Sequence, residues 1–143
     1  TRWQGVPQVR RVLIHYESVH DVANAITSLK TYGWEIGLVL KPKTPIDVLK
    51  PHLASIQTVM FMGVEPGFQG QAFIPETLNR IREFKKISSL PVAVDGGVNE
   101  TTLPDLVAAG ADILCPGSAI FGNDRTPAEN VRRMREVIER LTS

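Results

Sequence analysis

Short apolar segments alternate with amphipathic ones five times along the chain, and this alternation restricts the fold more than any other feature. The short segments are rich in β-branched residues and predict buried strands. They are residues 11–17, 35–40, 58–64, 92–94 and 112–115. The amphipathic segments predict helices at 21–32, 47–53, 75–87, 102–109 and 127–141. We therefore expect an α/β fold with a parallel sheet and right-handed crossovers.

Glycine and polar residues follow every predicted strand and not only the first. A doubly wound open sheet usually carries one glycine fingerprint, after its first strand. The upper rim of a (β/α)8 barrel carries such residues after each strand. Because five units are fewer than eight, and a barrel typically needs about 250 residues, we expect a partial TIM barrel. Residues 1–143 would form one (β/α) domain, the last five-eighths of such a barrel.

Two glycine turns follow neighbouring predicted strands. Asp95 closes the fourth strand before Gly96 and Gly97, and Gly117 and Ser118 follow the fifth. Parallel strands end at one edge of a sheet, so we expect the turns to lie side by side and the carboxylate to face a cleft. Glycine lets a ligand approach the backbone amides, which bind anions. Either turn alone is better explained as a tight connection between strand and helix, but the pair predicts a phosphate site.

Composition excludes several classes of function. The 143 residues include 16 basic and 15 acidic ones, a formal charge of +1, so neither nucleic acid nor an anionic membrane is an expected partner. No run of 18 apolar residues and no signal-peptide pattern occurs, so we expect no membrane span. The single cysteine, Cys115, forms no internal disulfide, which is typical of the cytoplasm.

Three motifs together resemble the signatures of the ribulose-phosphate 3-epimerase family. They are VEPGFQGQAF at 64–73, VDGGVN at 94–99 and GSAIF at 117–121. Residues 13–17 and 40–45 are similar to the ends of the family's fourth and fifth strands. The resemblance covers nearly the whole chain as strands four to eight of a barrel, and it implies that strands one to three are absent from this sequence.

The resemblance implies an isomerase that interconverts D-ribulose 5-phosphate and D-xylulose 5-phosphate by metal-assisted proton transfer at C3. It implies a divalent metal, most often zinc, held by a His and an Asp on the second strand, a His on the third and an Asp on the seventh. Of these, the chain contains only the last, Asp95, which would act both as metal ligand and as proton-transfer residue. The implied phosphate-binding residues are Gly67, Phe68, Gly70, Gly96, Gly97, Gly117 and Ser118.

Three further residues are cleft candidates. His15 and Glu17 are two positions apart in a predicted strand and so would share a face. His15 is better explained as a core or rim histidine that is hydrogen-bonded to a neighbour. Glu17 is equally well explained as a buried, paired carboxylate that supports the site. Met62 resembles the family's methionine near the sugar, although core packing also explains it.

Departures from the family pattern leave the ligand open. Glu65 and Lys41 stand where the family usually has Asn, and Gln69 stands where it has Gly. One hypothesis is therefore an epimerase completed by the missing strands. A second is a non-catalytic half-barrel that binds sugar phosphates without a metal, and a third is a hexulose-6-phosphate 3-epimerase. Because an open five-stranded sheet exposes two edges and an apolar interior, we also expect a homo-oligomer.

Overall fold

The computed structural model describes residues 6–67 and 70–142. Its five strands form one parallel sheet in the order in which they occur along the chain. They are β1 Arg11–His15, β2 Glu35–Leu40, β3 Thr58–Met62, β4 Val92–Asp95 and β5 Ile113–Cys115. Each strand pairs with the next, without the reversal of strand order that marks a doubly wound sheet. The predicted α/β fold of parallel repeats is confirmed, and this sequential order is that of a segment of a barrel.

Helices follow the strands as the sequence predicts. They are α1 Val22–Lys30, α2 Glu76–Ile87, α3 Leu103–Ala109, α4 Ser118–Phe121 and α5 Pro127–Thr142. The segment after β2 is a 3-10 helix, Ile46–Ser55, and not the short α-helix that residues 47–53 predict. Pro51 lies inside it, and because proline has no backbone N–H, it interrupts the regular α-helical ladder. In the part of the chain that the structure describes, no helix has the length and apolar character needed to cross a membrane.

The main core lies between the sheet and the helices. Side chains of a strand alternate between its two faces, and Leu38, Phe61 and Val94 come from the face that packs on the helices. Phe61 contacts Phe84 of α2 edge to face, with 5.8 Å between the ring centroids. This buried layer fixes the direction of the strands and therefore the place where their carboxyl ends emerge.

The second face of the sheet carries a smaller apolar cluster. Its buried members are Val39, Met60, Met62 and Ala93, packed against Ile113 and Cys115. Leu13 of β1 belongs to the same face, because it lies two residues before His15, whose register partner is Val39. Leu13 is 39% exposed. The second face thus becomes more exposed towards β1, one of the two strands that pair on one side only within the described residues.

The predicted strand 11–17 is wrong at its end. β1 stops at His15, and Tyr16–Ser18 form a 3-10 helix. The Glu17 side chain lies at the end of β2. Its carboxylate accepts hydrogen bonds there from the Lys41 amide at 2.9 Å and from the Thr44 hydroxyl. His15 and Glu17 therefore do not share the face of one strand.

Candidate functional site

A cavity of about 610 Å³ opens at the carboxyl ends of β3, β4 and β5. It is lined by Met62 and Asp95 from strand ends, and by the turns that follow those strands. Such a volume is in the range of pockets that bury a small ligand. The expectation that the turns after β4 and β5 lie at one edge of the sheet is confirmed, because both contribute to this cavity.

Most residues predicted to bind phosphate line the cavity. They are Gly67, Gly70, Gly96, Gly97, Gly117 and Ser118. Phe68, the remaining residue of that set, lies outside the described residues. The structure thus brings the six glycine and serine positions to one place, while their contact with a phosphate stays a prediction.

Packing between two loops explains the glycines after Asp95. Gly96 and Gly97 have φ values of +94° and +70°, in the left-handed region that other residues rarely adopt. A Cβ on Gly97 would lie 2.8 Å from the Cβ of Phe73, and one on Gly96 would lie 2.5 Å from a methyl group of Val64. The turn after β4 is therefore glycine-rich because the loop after β3 rests directly on it.

That loop is closed at its base. The Gly63 amide donates to the Asp95 carbonyl at 2.7 Å, and the Ile74 amide donates to the Gly63 carbonyl at 2.8 Å. Within the loop, the Gln71 side-chain amide donates to the Glu65 carbonyl. The described parts of the loop, residues 64–67 and 70–73, therefore leave the sheet and return to it beside Gly63, and residues 64–67, 70 and 71 form a wall of the cavity.

Gly117 is a glycine for a different reason. Its φ of −91° is one that any residue adopts, and a Cβ added to it would have no other atom within 4 Å. Packing therefore does not require a glycine there. Because Gly117 lines the cavity, the space beside it is open to a ligand that approaches the backbone closely.

Asp95 ends β4 in the middle of the site. In the sheet it is in register with Met62 of β3 and Cys115 of β5. Its side chain is half-buried and lines the cavity. Burial, assisted by the negative charge of Asp95, raises the pKa of the Cys115 thiol, so Cys115 is a neutral neighbour at ordinary pH. The Asp95 carboxylate therefore faces the space that a ligand would occupy, and its part in proton transfer stays a prediction.

Asn99 is a cavity residue that the sequence interpretation missed. Its side-chain oxygen accepts from the amides of Thr101 at 2.9 Å and Thr102 at 3.1 Å. The Thr102 hydroxyl in turn donates to the Gly97 carbonyl at 2.8 Å. These bonds fix the peptide after Gly97. The sequence did contain a signal, because an Asn three residues before a Thr at a helix start is a capping pattern.

His15 and Glu17 are not among the described residues that line the cavity. The imidazole Nδ1 of His15 lies 3.9 Å from the Glu17 carboxylate. Although burial alone would raise the pKa of Glu17, hydrogen bonds from Thr44 and Lys41 lower it below its usual value. Glu17 is thus an ionised carboxylate that holds the turn after β2. A role for His15 or Glu17 at the site stays a prediction.

The described residues do not form a complete metal site. Among them, no three His, Cys, Asp or Glu side chains come close enough together to hold a metal ion. Zinc normally takes three or four protein ligands, and Asp95 is a single carboxylate. The site as described therefore fits one ligand of such an ion and not the whole set.

Comparisons with known proteins agree with this geometry. A family model described as "Ribulose-phosphate 3 epimerase family" matches residues 6–121. The ribulose-phosphate 3-epimerase of Buchnera aphidicola subsp. Baizongia pistaciae is 36% identical over 93% of this chain and 60% of its own length. That of Methanocaldococcus jannaschii is 38% identical over 85% of this chain and 55% of its own length.

A solved structure is similar in fold. The 3-hexulose-6-phosphate synthase from Salmonella typhimurium superposes with a TM-score of 0.67 over 92% of this chain and 62% of that one, at 20% identity. At that identity the likeness concerns the fold alone. The chain spans no more than about 60% of the length of the two curated relatives named above.

Proposed function

Since this chain belongs to the ribulose-phosphate 3-epimerase family, we propose that it carries the phosphate-binding side and one proton-transfer carboxylate of an enzyme that interconverts D-ribulose 5-phosphate and D-xylulose 5-phosphate. One observation supports this proposal most strongly. The Asp95 carboxylate lines the same cavity as the turns at 96–97 and 117–118. A phosphorylated pentose held by those turns would present its carbon chain to that carboxylate.

The phosphate would bind to backbone amides. Open space beside Gly117 gives an anion access to the main chain, and the hydroxyl of Ser118 offers a further donor. The hydrogen bonds that Asn99 accepts hold the turn after β4, which contains Gly96 and Gly97, in place before a ligand binds. Little conformational entropy would therefore be lost when the phosphate binds.

Inversion of the carbon next to a ketone needs a base on one face of the substrate and an acid on the other. In this proposal Asp95 removes the C3 proton in one direction and returns it in the other. We assign no described residue to the opposite face of the substrate. The family uses a divalent metal, and we propose zinc from the resemblance alone. Because Asp95 is a single ligand, we assign no step to the ion.

Proton exchange at C3 tests this role of Asp95. We expect the protein to exchange the C3 proton of D-ribulose 5-phosphate in heavy water, as followed by NMR, and to bind inorganic phosphate at the same site. Asp95→Asn should lower the exchange rate by roughly 100-fold or more, since a general base is lost, and should not weaken phosphate binding, because a negative charge in the cavity is removed. Equal exchange by both proteins, or failure of the wild-type protein to bind phosphate, would refute the proposal.

A non-catalytic sugar-phosphate-binding module is the second candidate. It is favoured by the lack of a three-residue metal group among the described residues. Binding of D-ribulose 5-phosphate without C3 exchange, with and without added zinc, would support this candidate over the first. A panel that includes hexulose 6-phosphates tests whether the protein is instead a hexulose-6-phosphate 3-epimerase.

We also propose a homo-oligomer that works in the cytoplasm. Two observations support self-association. Leu13 is exposed, and within the described residues β1 and β5 each pair on one side only. The single cysteine and near-neutral charge suit a reducing compartment without a nucleic-acid or membrane partner. Cell fractionation tests the location.

A further inference from the structure

The cavity proposed for the phosphate has no basic side chain in its described lining. It has two acidic residues there, Glu65 and Asp95. A phosphate dianion that enters such a site is repelled by both carboxylates, and the repulsion is stronger where water is excluded. Backbone amides offset part of this repulsion, so a nearby cation would have a clear effect on affinity.

Lys43 supplies such a cation. Its ammonium nitrogen lies 3.6 Å from the Glu65 carboxylate. Lys43 is 91% exposed and Glu65 is 45% exposed, so the pair lies at the mouth of the cavity and not in its depth. Lys41 is the lysine that departs from the family pattern, but it is Lys43 that forms the ion pair with Glu65.

The turn that carries Lys43 is held from two sides. The Glu17 carboxylate accepts from the Lys41 amide and the Thr44 hydroxyl. The Arg80 guanidinium donates to the Lys41 carbonyl at 3.0 Å and to the Thr44 carbonyl. The turn at residues 41–44 is thus held at both ends, by the negative charge of Glu17 and by the positive charge of Arg80.

The guanidinium of Arg80 is itself fixed. Its central carbon lies 5.0 Å from the centroid of the Phe61 ring, a cation–π contact with the core of the sheet. The position of the Lys43 backbone is therefore set by the sheet and by α2. Only the side chain of Lys43 is left to move between the Glu65 carboxylate and a ligand.

We propose that Lys43 determines the affinity of the site for phosphorylated ligands by neutralising Glu65. In the free protein its ammonium group pairs with the Glu65 carboxylate, and in the complex it lies near both that carboxylate and the phosphate. Glu65 then rejects dianions whenever Lys43 is removed. This inference rests on the proposed function, because it assigns the phosphate to this cavity.

Calorimetric titration with inorganic phosphate and with D-ribulose 5-phosphate tests the inference. Lys43→Gln should weaken both affinities by roughly fivefold at low salt, the upper range for an exposed pair. Glu65→Gln should strengthen them by a similar factor, and the effect of Lys43→Gln should shrink in the double variant. These differences should fall as salt is raised.

A second exposed lysine provides a matched control. Lys50 pairs with Asp47 at 2.9 Å on the 3-10 helix after β2 and is not among the cavity residues. Lys50→Gln should leave both affinities unchanged, and neither lysine variant should change the melting temperature, because both side chains are exposed. A merely structural Lys43 would change the melting temperature and not the salt dependence of affinity.

The possible failures can be told apart. If the wild-type protein binds no phosphate, the proposed function and this inference both fall. If it binds phosphate and the Lys43→Gln and Lys50→Gln variants bind equally well, only this inference is overturned. An undiminished effect of Lys43→Gln in the Glu65→Gln background would likewise overturn the neutralisation of Glu65.

Discussion

Gly97 and Gly117 line the same cavity, yet a methyl group would meet different surroundings at each. At Gly97 it would contact the backbone and side chain of Phe73. The φ of Gly97 is also +70°, which a residue with a side chain rarely adopts. At Gly117 it would meet no other atom within 4 Å. The first glycine supports the structure of the site, and the second leaves room in it.

Alanine substitutions should separate these roles. Gly97→Ala should lower the free energy of unfolding by about 2 kcal/mol or more, since the left-handed conformation alone costs 1–2 kcal/mol and the contact with Phe73 adds to it. Gly117→Ala should leave stability within about 0.5 kcal/mol but weaken phosphate binding by roughly tenfold. Urea unfolding and calorimetry measure the two quantities. The reverse pattern would contradict the proposed place of the phosphate.

The sequence predicted individual residues where their chemistry depends on neighbours along the chain. Asp95 and the glycines after it were recognised from a short apolar run that ends in a turn, and the structure brings them to the cavity. Lys43 was missed because its partner Glu65 lies on a different loop. A pattern of residues along one strand or helix contains no information about such a pair.

At the scale of elements, the ends of strands were harder to predict than their existence. All five strands form, and β2 has the predicted bounds. β1 ends two residues early because Glu17 bonds to residues 24 and 27 positions away. Local preference cannot show where a carboxylate will find such distant donors.

The bond between Glu17 and the turn after β2 should make stability depend on acid pH. The pKa of Glu17 is lowered below the ordinary glutamate value of 4.5, because the hydrogen bonds outweigh the effect of burial. Its stabilising contribution is therefore complete above the unfolded-state pKa and is lost as pH falls through the lower folded-state pKa. Glu17→Gln removes this titration.

Urea unfolding across the acid range checks this expectation. The stability difference between the wild-type protein and Glu17→Gln should be constant from neutral pH to about pH 5 and should narrow below it. Asp112 and Glu100, whose pKa values are also lowered by their basic partners, titrate in both proteins and cancel in the comparison. A difference that stays constant down to about pH 3 would contradict the role of Glu17.

For the whole molecule, the exposed part of the second face predicts self-association. Leu13 is 39% exposed on β1, which pairs on one side only within the described residues, and apolar edge strands tend to pair with another chain. We expect light scattering to show more than one chain per particle. Leu13→Lys should shift the particles towards monomers.

Ile87 offers a control for that experiment. It is 43% exposed at the end of α2 and belongs to the helical layer. Ile87→Lys should leave the particle mass unchanged, because it does not touch the second face. A wild-type protein that is monomeric at all concentrations would rule out the proposed oligomer.

The loop after β3 should tolerate substitution at some of its positions better than at others. Its described parts, residues 64–67 and 70–73, leave the sheet at Gly63 and return beside it, where the Ile74 amide donates to the Gly63 carbonyl. Val64 is buried and Phe73 packs over Gly97, so these two positions tie the loop to the turn after β4. Glu65 and Pro66 line the cavity instead, and changes there alter its wall while that packing is kept.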